Sequence, residues 1–322
     1  MSDHLLPLIN EALAALPYPK APEGLYEPIA YGLEGGGKRL RPTLLLLAYK
    51  VFGQNPTEAL PAALALEIYH NHTLLHDDLM DQAPMRRGRP TVYRKWDANT
   101  AILSGDTMLI MAVEQMSRLK CRASHEVMAL FVRTMKEVCE GQQYDMNFER
   151  MADVSMAEYL EMIRLKTAVL PACAAQAGAL IGGADEAAAQ SLYDFAIHLG
   201  LAFQIQDDYL DVYGDPKVFG KSIGGDIVCG KKTYLLISAL NKAKDQDKAR
   251  LKALIGDKTI AQDEKIKAVT ALYDSLHIAE EAKAAIDRHF ALAAQCLDQV
   301  KADPERLQPL RDYAESLLGR NV

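Results

Sequence analysis

Cysteine is scarce in this 322-residue chain, and the five present, Cys121, Cys139, Cys173, Cys229 and Cys296, form an odd count with no C-x-x-C spacing. That excludes a disulfide framework and predicts reduced thiols in a cytoplasmic protein. Positive charge is in deficit, with 36 Lys and Arg against 43 Asp and Glu and a net charge of −7. The balance disfavours a nucleic-acid surface, because the basic residues are local and do not form a stripe. No apolar run approaches the ~20 residues needed to cross a bilayer. The opening MSDHLLPLINEALAALPYP has neither a basic start nor a cleavage-site pattern, so the expectation is a protein that is neither exported nor membrane-spanning. Alternating β-branched runs bounded by turn signals are also hard to find, which argues against a sheet.

What is present is helical periodicity over most of the chain, dominated by Ala and Leu. Ser155 followed by Glu158 predicts a capping box opening a helix through MAEYLEMIRLKTAVL, and Pro42 suits the first turn of a helix through TLLLLAYKV. The consecutive leucines Leu44 to Leu47 predict a helix buried on most sides, and the Ala- and Gly-rich stretch from Ala172 to Gly183 predicts close helix packing. The segments Asp145 to Ser155, Gly214 to Gly230 and Gly256 to Glu264 are short enough to be connections within one fold. The expected architecture is all-α, with residues 1–322 forming a single domain.

Two acidic pentads stand inside apolar stretches: DDLMD, with Asp77, Asp78 and Asp81, and DDYLD, with Asp207, Asp208 and Asp211. On a helix the first and last carboxylates of each run lie four residues apart on one face. Acidic runs are commonly solvated faces, but Leu74, Leu75, Leu79 and Met80 flank the first, and Phe203, Ile205, Tyr209, Leu210 and Val212 flank the second. Buried adjacent carboxylates repel and lose hydration, and protonation, a basic partner or a metal relieves this. Mg²⁺ fits best, since it takes one or two carboxylates together with water and substrate phosphates.

Phosphate-bound Mg²⁺ calls for cations, and three segments supply them. In GGGKRLRP, Gly35, Gly36 and Gly37 precede Lys38 and Arg41, which the spacing puts one turn apart at a helix entrance. MRRGRP presents Arg86, Arg87 and Arg89 on a loop interrupted by Gly88 and Pro90. GDPKVFGKSIGGDIVCGKKTY carries Lys217, Lys221, Lys231 and Lys232, the pattern of a lid over a phosphorylated ligand. His70, His72 and His76 raise zinc as an alternative, but the surrounding arginines favour an anion. His70 lies two turns before Asp77, suited to contact an anionic group.

With LLHDDLMD followed by RRGRPT, FQIQDDYLD, GGGKRLRP and the pair Lys166-Thr167, the chain resembles the trans-isoprenyl diphosphate synthases. The motifs span about Gly35 to Tyr234. The resemblance implies an all-α bundle around a deep central cavity, usually a homodimer, using Mg²⁺ with Mn²⁺ as a substitute. It implies Asp77, Asp81 and Asp207 as main ligands of three Mg²⁺ ions. Asp78, Asp208 and Asp211 would support them through water or hydrogen bonds, and Asp211 is also a candidate ligand. Arg86, Lys166, Lys221 and Lys231 would hold the allylic diphosphate. Gly37, Lys38, Arg41, His70 and Arg87 would form the isopentenyl diphosphate site. Thr167 and Gln204 would turn oxygens toward a developing carbocation.

The reaction so implied joins isopentenyl diphosphate head to tail (1′-4) to dimethylallyl, geranyl or farnesyl diphosphate. Breaking an allylic C–O bond leaves an anion and a carbocation, so cations must stabilise the leaving group while an apolar pocket excludes water. Product length is expected to depend on bulk upstream of Asp77. His72 and Tyr69 lie roughly 7.5 and 12 Å along the helix at ~1.5 Å per residue. Family short-chain members carry an aromatic residue at the fifth position upstream, whereas this chain has His72 followed by Thr73. The expected product is C15 or C20, the alternative a chain of C30 or more. A terpene cyclase would replace the second acidic motif, a catalytically silent partner subunit would lose aspartates, and a non-enzymatic cation binder leaves the basic segments unexplained.

Overall fold

The computed structural model describes residues 4–215 and 223–318, and it is helical almost throughout. Lys217 and Lys221 lie outside the described residues. The chain divides into two compact units: residues 1–132, 173–192 and 301–310, and residues 133–172, 193–300 and 311–322.

In the first unit, α1 (Leu5–Ala14), α2 (Tyr26–Glu34), α3 (Leu40–Phe52), α4 (Leu60–Met80), α5 (Val92–Lys95) and α6 (Ala98–Ser117) surround an aliphatic core. Leu44 to Leu47 are all at most 2% exposed, as four leucines in a row on a helix require. α4 packs against α6 and α3, and its Leu64, Leu66, Ile68 and Tyr69 are buried. A two-stranded hairpin, β1 (Met85–Arg86) and β2 (Arg89–Pro90), follows α4 in antiparallel register.

α7 (Ser124–Phe148) and α8 (Met156–Ile163) lead to a π-helical turn, Arg164–Ala168, and then to α9 (Val169–Gly182). The capping box forms: Ser155 accepts from the Glu158 N–H while the Glu158 carboxylate takes the Ser155 N–H at 2.8 Å. Ala172, Ala174, Ala175, Ala177 and Ala179 are fully buried, so the small side chains do serve close packing. Helical structure from Met156 to Gly182 is long and apolar enough to cross a membrane, but 72% of its apolar window is buried within the protein, as in a soluble core helix.

The second unit contains α10 from Tyr193 onward (whole helix Glu186–Tyr213), α11 (Gly225–Cys229), α12 (Tyr234–Lys242), α13 (Asp245–Gly256), α14 (Gln262–Ser275) and α15 (Ile278–Asp298). α16 (Pro304–Leu318) closes the described chain. Tyr159, Ile205, Leu235, Tyr273 and Ile278 form the core of the second unit. All three segments read as connections contain helix: α7 includes Asp145 to Phe148, α11 lies within 214–230, and α14 starts at Gln262. Their polar residues face partners that local composition does not reveal.

Candidate active site

In the first unit the acidic motif closes α4. Asp77 is half-buried, Asp78 is buried and Asp81 is the exposed C-cap, whose N–H donates to the Asp77 carbonyl at 2.8 Å. The hairpin reaches back to this end. Arg86 Nε donates to Asp78 Oδ1 at 2.7 Å, and its Nη2 lies 3.7 Å from Asp77 Oδ2. Burial pushes the Asp78 carboxyl up from its usual range while the Arg86 charge opposes the shift. Asp78 is thus tied to Arg86, and Asp77 and Asp81 form the pair one turn apart. The loop expected at Arg86 to Arg89 is a tight hairpin whose central residues, Arg87 and Gly88, have φ of 52° and 74°. Two left-handed residues match a strand-connecting turn.

The start of α3 corrects one expectation. The helix begins at Leu40, preceded by Arg39 in the left-handed region at φ 47°, so Lys38 stands outside the helix and shares no helical face with Arg41. The cause is a buried ion pair. Arg39 Nη1 meets Glu67 Oε1 on α4 at 2.6 Å, Nη2 donates to Leu33 O at 2.8 Å, and Nε donates to Asn10 Oδ1 at 3.2 Å. Sequence reasoning passed over Arg39, although it sits between Lys38 and Arg41. Gly37, at φ 134°, lies where an added Cβ would meet the Arg87 guanidinium at 2.8 Å, and Arg87 donates to the Gly36 carbonyl. His70 is held neutral well below the ordinary imidazole range, first by burial and then by Arg41, Arg87, Arg86 and Arg39. Four arginines acting on one neutral ring make a positive field suited to an anion.

The other histidines turn to α6. His72, 8% exposed, donates from Nδ1 to Gly105 O at 2.9 Å, and burial together with His76 lowers its pKa to about 4. His76 Nε2 donates to Ile102 O at 3.2 Å, and an added Cβ at Gly105 would run into its ring. Tyr69 is buried, with its ring edge-on to Phe131 at 5.7 Å. Thr73 donates to His70 O at 2.8 Å. At about 100° per residue, Thr73 lies roughly 40° from the Asp77 direction, Tyr69 roughly 80° and His72 roughly 140°. A small recess of about 40 Å³ lies beside Asn71, Asp78, Arg86, Arg87 and Tyr31.

In the second unit Lys166 and Thr167 ride on the π-helical turn. Gly141 on α7 and Gly200 on α10 admit it: an added Cβ would meet the backbone of Leu165 and Lys166 at the first, and Ala168 at 2.7 Å at the second. One helical turn beyond each glycine stands a polar partner. Lys166 Nζ donates to Asp145 Oδ2 at 2.6 Å, and Thr167 Oγ1 donates to Gln204 Oε1 at 3.2 Å. π-turns recur at functional sites because they re-aim side chains.

Along α10, Asp207 and Asp211 are half-buried and one turn apart, while Asp208 is 3% exposed. Asp208 accepts from Tyr159 Oη at 2.6 Å, the Tyr234 N–H at 2.9 Å and Gln204 Nε2 at 3.2 Å. Burial lifts its pKa to about 6 against Lys231, the Tyr159 hydroxyl and the Tyr234 N–H. Asp211 Oδ2 accepts the Asp226 N–H at 3.0 Å, and the Lys231 N–H donates to Asp226 O at 2.9 Å. Asp145, Tyr159 and Asp226 are partners that sequence reasoning missed, because each pairing joins different elements.

The donor chemistry fits Mg²⁺. Among the described residues no group of three or more His, Cys, Asp and Glu side chains is gathered as a metal cage. Pairs of carboxylates one turn apart at Asp77 and Asp81 and at Asp207 and Asp211 are the hard donors of an ion that completes its shell with water and phosphate. Among the described residues His72 and His76 belong to no group of three or more side chains that could cage zinc.

Comparison with known proteins identifies the family. The polyprenyl synthetase family profile matches residues 22–273. The short chain isoprenyl diphosphate synthase of Methanocaldococcus jannaschii is 40% identical over 278 residues, covering 86% of this chain and 84% of that protein. The geranylfarnesyl diphosphate synthase of Natronomonas pharaonis is 38% identical over 334 residues, covering 98% and 95%. A crystal structure of a geranylgeranyl pyrophosphate synthase superposes with a TM-score of 0.95 at 42% identity, covering 100% of this chain and 99% of the other. With a family profile that matches most of the chain and an all-α fold shared with these relatives, the chain belongs to the polyprenyl synthetase family and is a prenyltransferase of the isoprenyl diphosphate synthase kind.

Proposed function

We propose that this chain condenses isopentenyl diphosphate head to tail with an allylic diphosphate, dimethylallyl, geranyl or farnesyl, and releases diphosphate and an all-trans C20 product. The observation that carries the reading is the division of charge along α4: carboxylates at Asp77 and Asp81, and two turns earlier a neutral His70 under four arginines. A metal-bridged diphosphate suits the first and a bare diphosphate the second. C20 is supported by the name of the superposed geranylgeranyl pyrophosphate synthase, 42% identical to this chain, while a relative 38% identical is named a geranylfarnesyl diphosphate synthase.

Asp77, Asp81 and Asp207, with Asp211, would hold three Mg²⁺ ions, or Mn²⁺ in their place. The metal would neutralise the leaving diphosphate as the allylic C1–O bond breaks. Lys166 and Lys231, with Arg86, hold that diphosphate. Thr167 and Gln204 direct oxygens at the carbocation, and the C4 carbon of isopentenyl diphosphate, oriented by Gly37, Lys38, Arg41, His70 and Arg87, attacks it. The departing diphosphate takes the released proton. Tyr69, His72 and Thr73 bound the growing chain.

The family match runs through both compact units, which supports one synthase domain over 1–322. Exposed Ile102, Leu103 and Ile110 on α6 support a homodimer, and five free cysteines support a reducing cytoplasm. The test is incubation with isopentenyl diphosphate and each primer in Mg²⁺, with sizing of the dephosphorylated products. A C20 alcohol that disappears with EDTA is expected. A ladder to C30 would overturn the product length, and no condensation would return the silent-subunit reading.

A further inference from the structure

Lys265 on α14 is 4% exposed, a degree of burial unusual for lysine. Its Nζ donates to Ile255 O at 2.8 Å, Asp257 O at 3.2 Å and Val228 O at 3.4 Å. An ammonium group has three N–H donors, and here three carbonyls receive them. Ile255 and Asp257 lie at the C-terminal end of α13, and Val228 lies near the C-terminal end of α11. Carbonyls at helix C-termini carry partial negative charge and lack intrahelical partners, so one cation satisfies two helix ends.

The segment held this way leads directly to Lys231. Residues 224–231 lie over the same helices: an added Cβ at Gly224, φ 81°, would meet Ile266 at 2.6 Å, and one at Gly230, φ 70°, would meet Ile255 at 3.3 Å. Above, the segment is tied to α10, with the Gly224 N–H donating to Asp211 O at 2.6 Å and the Asp226 N–H to Asp211 Oδ2 at 3.0 Å. Lys231 N–H then donates to Asp226 O at 2.9 Å, and Lys231 Nζ, on a side chain 43% exposed, lies 3.9 Å from Asp226 Oδ1. Ile227, 3% exposed, packs the middle of α11 into the core, and Lys265 holds the far end of α11 from below through Val228 O.

We propose that Lys265 is a positioning residue that sets the height of α11 and thereby aims Lys231 at the allylic diphosphate. The inference rests on the assignment of Lys231 as a diphosphate cation. Lys265→Met keeps the apolar stem and removes the three donors. In the Mg²⁺-supplied enzyme, KM for geranyl diphosphate is expected to rise about tenfold, while KM for isopentenyl diphosphate stays within twofold. In the Lys231→Ala background the Lys265→Met effect on geranyl diphosphate is expected to fall below twofold, because residues acting through one another are not additive. Lys265→Gln, which retains two N–H donors, is expected to recover part of the loss and serves if the Met variant does not fold.

An equal effect of the Lys265 variants with and without Lys231, or an equal rise in both substrates' KM, would overturn the positioning role and leave the Lys231 assignment standing. An unchanged geranyl diphosphate KM in Lys231→Ala alone would overturn that assignment, and the inference with it.

Discussion

At the scale of single residues, the carboxylates of one motif have different occupations despite identical chemistry. Asp78 is paired with Arg86 and Asp208 with Tyr159, Tyr234 and Gln204, whereas Asp77 and Asp81 occupy the end of α4. Asp77→Ala is therefore expected to lower kcat by about 10²–10³-fold, the scale of a lost preorganised charge contact. Its thermal unfolding should stay close to that of the parent; near-parental turnover would exclude Asp77 as a metal ligand. Glu67 is a different case. Its Ala variant leaves the buried Arg39 guanidinium without its 2.6 Å partner and is expected to cost about 3–5 kcal/mol in urea unfolding. Neither role can be inferred from residue type alone. Asp77 was legible because its motif is local, while Arg39–Glu67 joins positions far apart in the chain.

At the scale of elements, α4 presents one face to the acidic end and another to α6. His72 is committed to Gly105 O, and Thr73 lies closest to the Asp77 direction. Two substitutions should move product length in opposite senses. Thr73→Tyr adds bulk on the near side and is expected to shift the product to C15. His72→Ala removes a ring from the α4–α6 contact and is expected to admit one more isoprene unit. Chromatography of dephosphorylated products reads both, and an unchanged distribution in both variants would put the floor on another helix. Sequence periodicity identifies α4, its buried side and the capping box at Ser155. It misses the π-turn at Arg164–Ala168, which depends on close approach at Gly141 and Gly200 from two other helices.

At the scale of the whole molecule, buried imidazoles couple stability to pH. His72 and His289 have pKa values lowered to about 4, chiefly by burial, against an ordinary 6.5. Between those values the unfolded chain binds more protons than the folded one, so stability is full above pH 6.5 and falls as pH drops toward 4. Asp208, raised to about 6, and Asp78, also raised, act in the opposite sense, but four lowered histidines, His70, His72, His198 and His289, oppose these two carboxyls. The urea midpoint is expected to fall from pH 7 to pH 4.5; a flat profile would mean that none of these rings is neutral in the folded protein.

The amino-acid sequence by itself determined the all-α class, the two acidic pentads, the basic segments and the chemistry they imply, because helical period, capping and i, i+4 spacing are properties of neighbours along the chain. Tertiary structure alone decided that Arg39 turns inward and holds Lys38 off the helix, that His72 faces Gly105, that Asp208 is a buried hub, and that Lys265 joins two helix ends. Each of those is a hydrogen bond or ion pair between distant segments. Its strength comes from exclusion of water when the helices pack, a condition that local pattern does not encode.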